Sequence, residues 1–414
     1  MLHTVLIGLA VLALLSIILE ELIHVNKAKS TLFLGSLAWI LVFLFPESGV
    51  TAEELRHKLD ENILEIAGLW LFLMAAMTFV AFLNSQGLIE TLIYKLLPRR
   101  ISERKLIFLV AVFSFVFSSL CDNITATLVS IALVLSLRLD RRKTLRFSVM
   151  VVFAVNSGGV ALITGDVTTL MIFLAGKVAI EELLLLSLPA FVSVLSLAAM
   201  LSRPLRGTAE IIPTPRKDDR VGKVIAAIFL ATILGTIALN VLAGIPPVLT
   251  FLFGLSIMFL IGRFAYAEDK RENLLDYIRK IEFDTLMFFL GILLLVGMLK
   301  EIGVLDNLVQ IYQVMPIYAA NFVMGLFSAV VDNVPLTAAL LKADIQMSAS
   351  EWLMLTYSVG VGGSMLVIGS AAGIVAMSKV DILTFATYGR YVLFLGIAFL
   401  IGYAGTFAMG TLLL

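Results

Sequence analysis

Apolar stretches long enough to cross a hydrocarbon layer as helices follow one another along the whole 414-residue chain. A layer about 30 Å thick needs roughly 17 to 25 mostly apolar residues per crossing, and inside it each segment must satisfy its own backbone polar groups, which dictates helices. Full spans are expected near residues 4–23, 31–46, 67–84, 145–176 and 182–202, and again near 222–243, 247–263, 284–300, 350–378 and 383–412. Segments 105–138 and 317–342 read as helical hairpins with polar residues at their centres. Thr4 to Ile23 has only His3 ahead of it and runs into Glu20 and Glu21, so it lacks the basic start of a signal peptide and reads as a retained span. With 60% hydrophobic and 14% charged residues, nothing is left to assign to a soluble domain.

Several function classes drop out. A formal net charge of zero argues against a nucleic acid partner. Cys121 is the only cysteine, and His3, His24 and His57 stand apart, so neither a disulfide nor a zinc cluster is expected. No phosphate-cradling glycine loop of the G-x-x-x-x-G-K-[ST] type is present, which argues against ATP as a driving force. No enzyme chemistry or cofactor is implied.

The chain repeats itself. FSSLCDNITATL from Phe117 matches FSAVVDNVPLTA from Phe327 at an offset of 210, while Gly158, Gly159 and Gly165 match Gly362, Gly363 and Gly369 at 204. FLMAAMTFVAFLNSQG from Phe72 matches FFLGILLLVGMLKEIG from Phe288 at 216. The first repeat is taken as residues 1–203 and the second as 222–414, joined by a polar linker, 204–221, rich in proline and charge. With about five crossings per half, the halves must have opposite topology. Of the 30 Lys and Arg residues, only Arg56, Lys58, Lys177, Lys300 and Lys342 fall on one face. By the positive-inside rule the other face is cytoplasmic, the linker lies there, and both termini lie outside. The fold expected is all-α: a polytopic membrane protein with two inverted repeats, re-entrant hairpins (105–138, 317–342) and glycine-rich broken helices (145–176, 350–378).

The polar residues at the hairpin tips and helix breaks carry the chemistry. Asp122-Asn123 and Asp332-Asn333 put a carboxylate and an amide side by side at each tip, with Thr125 and Ser328 nearby. A buried acid costs at least ~2.5 kcal/mol to insert, which makes it a functional hypothesis by default. Carboxylate, amide carbonyl and hydroxyl oxygens are the donors a hard cation prefers. The simpler alternative is that Asp and Asn only cap the second arm of each hairpin. In the first break, Asn156, Asp166, Thr168 and Thr169 add a third acid, whereas the second break offers only Ser364 and Ser370. Serines on a membrane helix often bond their own backbone instead. Glu65 and Asp284 read as solvated helix-end charges, and no Lys or Arg falls inside the four motifs.

SSLCDNITATLV, NSGGVALITGDVTTLM, SAVVDNVPLTAAL and GGSMLVIGSAAG together resemble the four central motifs of the NhaD-type sodium/proton antiporters of the ion transporter superfamily. The resemblance covers nearly all the chain after the first two spans. It implies cation ligation by Asp122, Asn156, Asp166, Thr168, Asp332 and Asn333, transport of Na⁺ or Li⁺ against H⁺, a homodimer, and residence in a prokaryotic inner (plasma) membrane. One departure is Cys121, where such proteins often carry an acid. The mechanism expected is competition: clustered buried acids hold protons that a sodium ion displaces, followed by alternating access. An anion, dicarboxylate or arsenite-type carrier of the same superfamily is the nearest alternative, and an acid-lined channel is a more distant one.

Overall fold

The computed structural model describes residues 2–18, 25–46, 50–86, 100–210, 220–265, 276–343 and 345–413. The end of the first expected span, with Glu20 and Glu21, and the linker centre, with Pro213 and Pro215, lie outside the described residues. The first half consists of α1 (Leu2–Ile18), α2 (Lys27–Leu44), α3 (Ala52–Ser85), α4 (Glu103–Leu120), α5 (Asn123–Ser136), α6 (Arg141–Gly159), α7 (Val167–Leu174) and α8 (Ile180–Ser202). In the second half stand α9 (Arg220–Ala243), α10 (Pro247–Ala265), the short α11 (Asp276–Arg279), α12 (Phe283–Glu301) and α13 (Asp306–Val314). They are followed by α14 (Ile317–Ser328), α15 (Asn333–Lys342), α16 (Ala349–Gly362), α17 (Ala371–Lys379), the short α18 (Phe385–Gly389) and α19 (Val392–Leu413).

Among the described residues, six helices are long and apolar enough to cross a membrane, including α2, α8, α12 and α19. Their bare faces suit lipid, with Leu234 and Leu242 on α9 and Leu393 and Leu400 on α19 all exposed. Both hairpins form where expected, as α4–α5 and α14–α15, and both helices break where the glycines cluster, between α6 and α7 and between α16 and α17.

Four expectations need correction. The span placed at 67–84 is the end of a 34-residue helix, α3, about 51 Å long at 1.5 Å per residue. Its polar start is held by Thr51, whose N–H donates to Glu54 while its hydroxyl accepts from the Glu54 N–H. The stretch 383–412 is two helices, interrupted at Arg390 and Tyr391. The amphipathic α13, with no buried residue, was not anticipated. Beside the all-α architecture, which holds, a short strand pair was also not anticipated: β1 (Arg100–Ser102) pairs antiparallel with β2 (Thr208–Glu210). Arg104 donates to the carbonyls of Arg203 and Leu205 at 3.2 and 3.0 Å. The start of the linker is therefore fastened to the base of the first hairpin.

The helices sort into two bodies. One, the scaffold, packs α1, α2, α3, α9, α10 and α12 together; α2 and α12 cross so closely that a Cβ on Gly35 would meet the Gly291 carbonyl oxygen at 2.6 Å. The other, the core, holds both hairpins, both broken helices, α8 and α19. Within it the repeats interlock, α5 packing on α17 and α15 on α7. Each hairpin lies on its own broken helix through matched contacts. Ser118 Oγ donates to the Val155 carbonyl at 2.8 Å, and Ser328 Oγ to that of Val359 at 2.7 Å. A Cβ on Gly158 would stand 2.1 Å from the Phe115 carbonyl oxygen, and one on Gly362 2.2 Å from that of Gly325. The sequence offsets of 210 and 204 are thus offsets between equivalent contacts.

Both obstructing atoms are backbone, so the hairpin itself must shift to admit a side chain, at a typical overpacking cost of about 1–3 kcal/mol. Gly158→Ala is expected to lower the unfolding temperature of the detergent-purified protein by several degrees. Gly8→Ala, where nothing lies within 4 Å, is expected to leave it unchanged within a degree or so.

Candidate functional site

Four helices of the core begin at one place, each with a cap that accepts a backbone N–H. Asp122 caps α5 by accepting from the Thr125 N–H at 2.9 Å, and Asp166 caps α7 by accepting from Thr168 at 3.0 Å. Asp332 caps α15 by accepting from Val334 at 3.2 Å, and Ser370 caps α17 by accepting from Gly373 at 3.3 Å. Capping and a functional role are compatible here, because each aspartate cap occupies only one oxygen of its carboxylate. Four helix N-termini facing the same region offset part of the repulsion among the acids.

The second oxygens of the three acids have different fates. Asp166 Oδ2 accepts from Asn123 Nδ2 at 2.8 Å and from Asn333 Nδ2 at 3.0 Å, so one atom ties together the tips of both hairpins. Asp332 Oδ2 lies 3.5 Å from Lys27 Nζ. Among the described residues, Asp122 Oδ2 is buried without a hydrogen-bond partner.

The acids line a cavity of about 70 Å³ between core and scaffold, with Asn123, Asn333 and Ser370 beside them. Leu73, Met77, Phe288 and Phe289 of the scaffold form its apolar wall. Lys27 and Thr285 line it from the first turns of α2 and α12, next to exposed Glu282 and Asp284. Sharing a cavity is not sharing a coordination sphere: among the described residues, no three acid, imidazole or thiol groups stand close enough together to hold one metal ion.

Other expected site residues sit behind this layer. Asn156 reaches the cavity through Ser370, donating to its hydroxyl at 2.8 Å, while its own Oδ1 is buried without a partner among the described residues. Thr168 contributes its backbone N–H, and its buried hydroxyl is likewise without a partner there. Thr125 contributes its N–H to Asp122. Thr169 Oγ1 donates to the Gly159 carbonyl, Ser328 Oγ to that of Val359 and Ser364 Oγ to that of Val361. Those three hydroxyls are spent on backbone and do not line the cavity.

Compared with known proteins, residues 2–360 match the sequence model of the citrate transporter family. The Na⁺/H⁺ antiporter NhaD of Vibrio cholerae is 32% identical over 406 residues, covering 91% of this chain and 83% of that protein. NhaD of Alkalimonas amylolytica is 33% identical over 410 residues, with 90% and 83% covered. The chain belongs to the NhaD antiporter family. That places it within the wider group the citrate transporter model describes, among membrane transporters and not enzymes. In the crystal structure of the Alcanivorax borkumensis YdaH transporter, described as having an unusual topology, 97% of the chain aligns with 92% of this one at a TM-score of 0.56 and 15% identity, a likeness of fold.

Within this NhaD-family chain, Cys121 is buried and ends α4, so the position before the first tip acid brings no charge to the cavity. Sequence reasoning missed Lys27 and Thr285. Lys27 stands at the start of an apolar span, where it reads as an ordinary topology-setting charge, and only the crossing of α2 over α12 brings it to Asp332. Glu65 and Asp284 are also better tied than expected: Glu65 pairs with Lys342 at the end of α15, and Asp284 accepts from Asn26 at 2.6 Å.

The asymmetry of the acids sets an order of structural importance. Asp166 accepts from three N–H groups and Asp122 from one, and a hydrogen bond to a charged group is worth about 1.5–3 kcal/mol. Asp166→Ala is expected to lower the unfolding temperature more than Asp122→Ala, and the ranking is checked by thermal unfolding of the two purified variants side by side.

Proposed function

We propose that this chain exchanges sodium ions, and lithium ions as a smaller substitute, for protons across a prokaryotic inner membrane. The observation that carries the reading is the gathering of Asp122, Asp166 and Asp332 around one small cavity between core and scaffold. Acids this close do not titrate independently, and a pocket that binds either protons or a metal ion exchanges one for the other. A sodium ion has carboxylate oxygens of Asp122 and Asp166 available, together with the Asn123 and Asn333 amides if their carbonyls turn inward. It does not need all three acids at once.

Alternating access is the simplest motion for this architecture: the core, carrying both hairpin tips and both helix breaks, moves against the scaffold. The cavity is lined at one end by Lys27 and Thr285, on the face to which the positive-inside rule assigns the cytoplasm, with both termini outside. Each protomer holds the whole cavity, so the homodimer implied by the family resemblance would serve to anchor the scaffold.

Citrate-type transport is a second reading, favoured by the family description and by Lys27 in the cavity. Against it stand the three acids, one of which already engages that lysine. Citrate neither taken up nor inhibitory in the assay below would remove it.

In acidified everted vesicles containing the protein, added sodium chloride is expected to drive proton efflux, and choline chloride to drive none. Asp122→Asn and Asp166→Asn are each expected to reduce that efflux by tenfold or more, roughly the cost of losing one charged ligand. Competition also fixes a sign: apparent sodium affinity falls as pH drops, by roughly tenfold per pH unit for each proton displaced. Undiminished efflux from both variants, or a sodium affinity indifferent to pH, would reject the proposal.

A further inference from the structure

Sequence repetition makes Asp122 and Asp332 equivalents, each followed by Asn at a hairpin tip and each capping the second arm. Their surroundings are not equivalent. Asp332 Oδ2 faces an ammonium at 3.5 Å, whereas Asp122 Oδ2 is buried with no hydrogen-bond partner among the described residues. The lysine comes from the other body: Lys27 opens α2 of the scaffold, and Asp332 belongs to the core. Its ammonium also lies 4.6 Å from the centre of the Phe288 ring, a cation–π position that holds it over the cavity wall. Only about a fifth of the Lys27 side chain is exposed. Among the described residues, the other charges that face this cavity or border it are Asp122 and Asp166, Glu282, within electrostatic reach of the ammonium, and Asp284, held by neighbouring Asn26.

We propose that Lys27 is a tethered cation that occupies Asp332 in place of a transported ion and ties core to scaffold until the cavity is loaded. The inference rests on the exchanger reading and adds a partner residue to it. A mobile cation held by Asp122 and Asp166 brings positive charge into the shared cavity and weakens the hold of Asp332 on the ammonium, which withdraws toward Glu282. The pair spans the two bodies, so the tie holds a core that carries no ion and slips when one is loaded. That is what strict exchange requires, since return of an unloaded carrier would leak the gradient. Lys27 acts here as a positioning residue and as a competitor.

Two measurements decide it. In the first, thermal stabilisation of purified protein by NaCl, with choline chloride as the ionic-strength reference, is followed at fixed alkaline pH. Lys27→Gln removes the competitor, so half-maximal stabilisation is expected at roughly tenfold lower sodium, the scale of a 1.4 kcal/mol change. Lys27→Arg keeps the charge and is expected to stay nearer to wild type. In the second, wild-type protein is treated with an amine-methylating reagent and the modification of Lys27 is read by mass spectrometry against exposed Lys29. Sodium, but not choline, is expected to raise Lys27 modification severalfold, and this readout stands even if Lys27→Gln does not fold. If wild type responds to sodium while Lys27 modification and the Lys27→Gln midpoint are both unmoved, the tether is wrong and the exchanger reading survives. If wild type shows no sodium-specific stabilisation at all, the exchanger reading itself falls.

Discussion

A single carboxylate oxygen, Oδ2 of Asp166, accepts amide hydrogens from Asn123 at one hairpin tip and Asn333 at the other. The two asparagines come from opposite halves of the chain, and the acid comes from the break in a third element. In a low-dielectric interior such charge-assisted bonds are strong and an unpaired partner is costly, so this bridge fixes where both tips sit. Asp122, Asp332 and Ser370 depend on it in turn, because each is placed by the helix it caps at the same crossing. The glycines at 158 and 362 make the crossing possible by letting each hairpin lie directly on backbone.

Two halves of similar sequence have produced an asymmetric centre. The second break has Ser370 where the first has Asp166, so the bridge has one anion and not two. One tip acid meets an ammonium from the scaffold and, among the described residues, the other does not. An inverted repeat supplies two equivalent ways of facing the membrane, and the departures from equivalence give the cavity its charge. Three acids, one lysine and four helix N-termini balance far better than the acids alone suggest.

Much of this was legible in the residues. Hydropathy marked most spans because a bilayer leaves little choice of backbone structure, and glycine clusters marked both breaks because close backbone contact admits no Cβ. The tip motifs stood out because Asp-Asn is expensive in an apolar setting. What stayed hidden was long-range placement. Lys27 looks like any lysine at the end of a span, and its role is set by the approach of α2 to α12 through Gly35 and Gly291. Ser328 and Ser364 looked like ligands, yet a hydroxyl on a helix can always turn to a nearby carbonyl, and both do. The length of α3 was obscured because its first turns are charged, and hydropathy carries no signal there. The strand pair at the linker was invisible because three-residue strands have no readable period.

Competition between a metal ion and hydrogen ions at this cavity can be counted directly. Sodium titrated calorimetrically into the purified protein, in two buffers of different ionisation enthalpy at the same pH, reports how many protons leave per ion bound. Between about half a proton and two protons released per sodium, and fewer in Asp166→Asn, is the outcome expected of linked titration at clustered acids. Sodium binding with the same heat in both buffers would mean that no proton leaves, and would contradict exchange at this site.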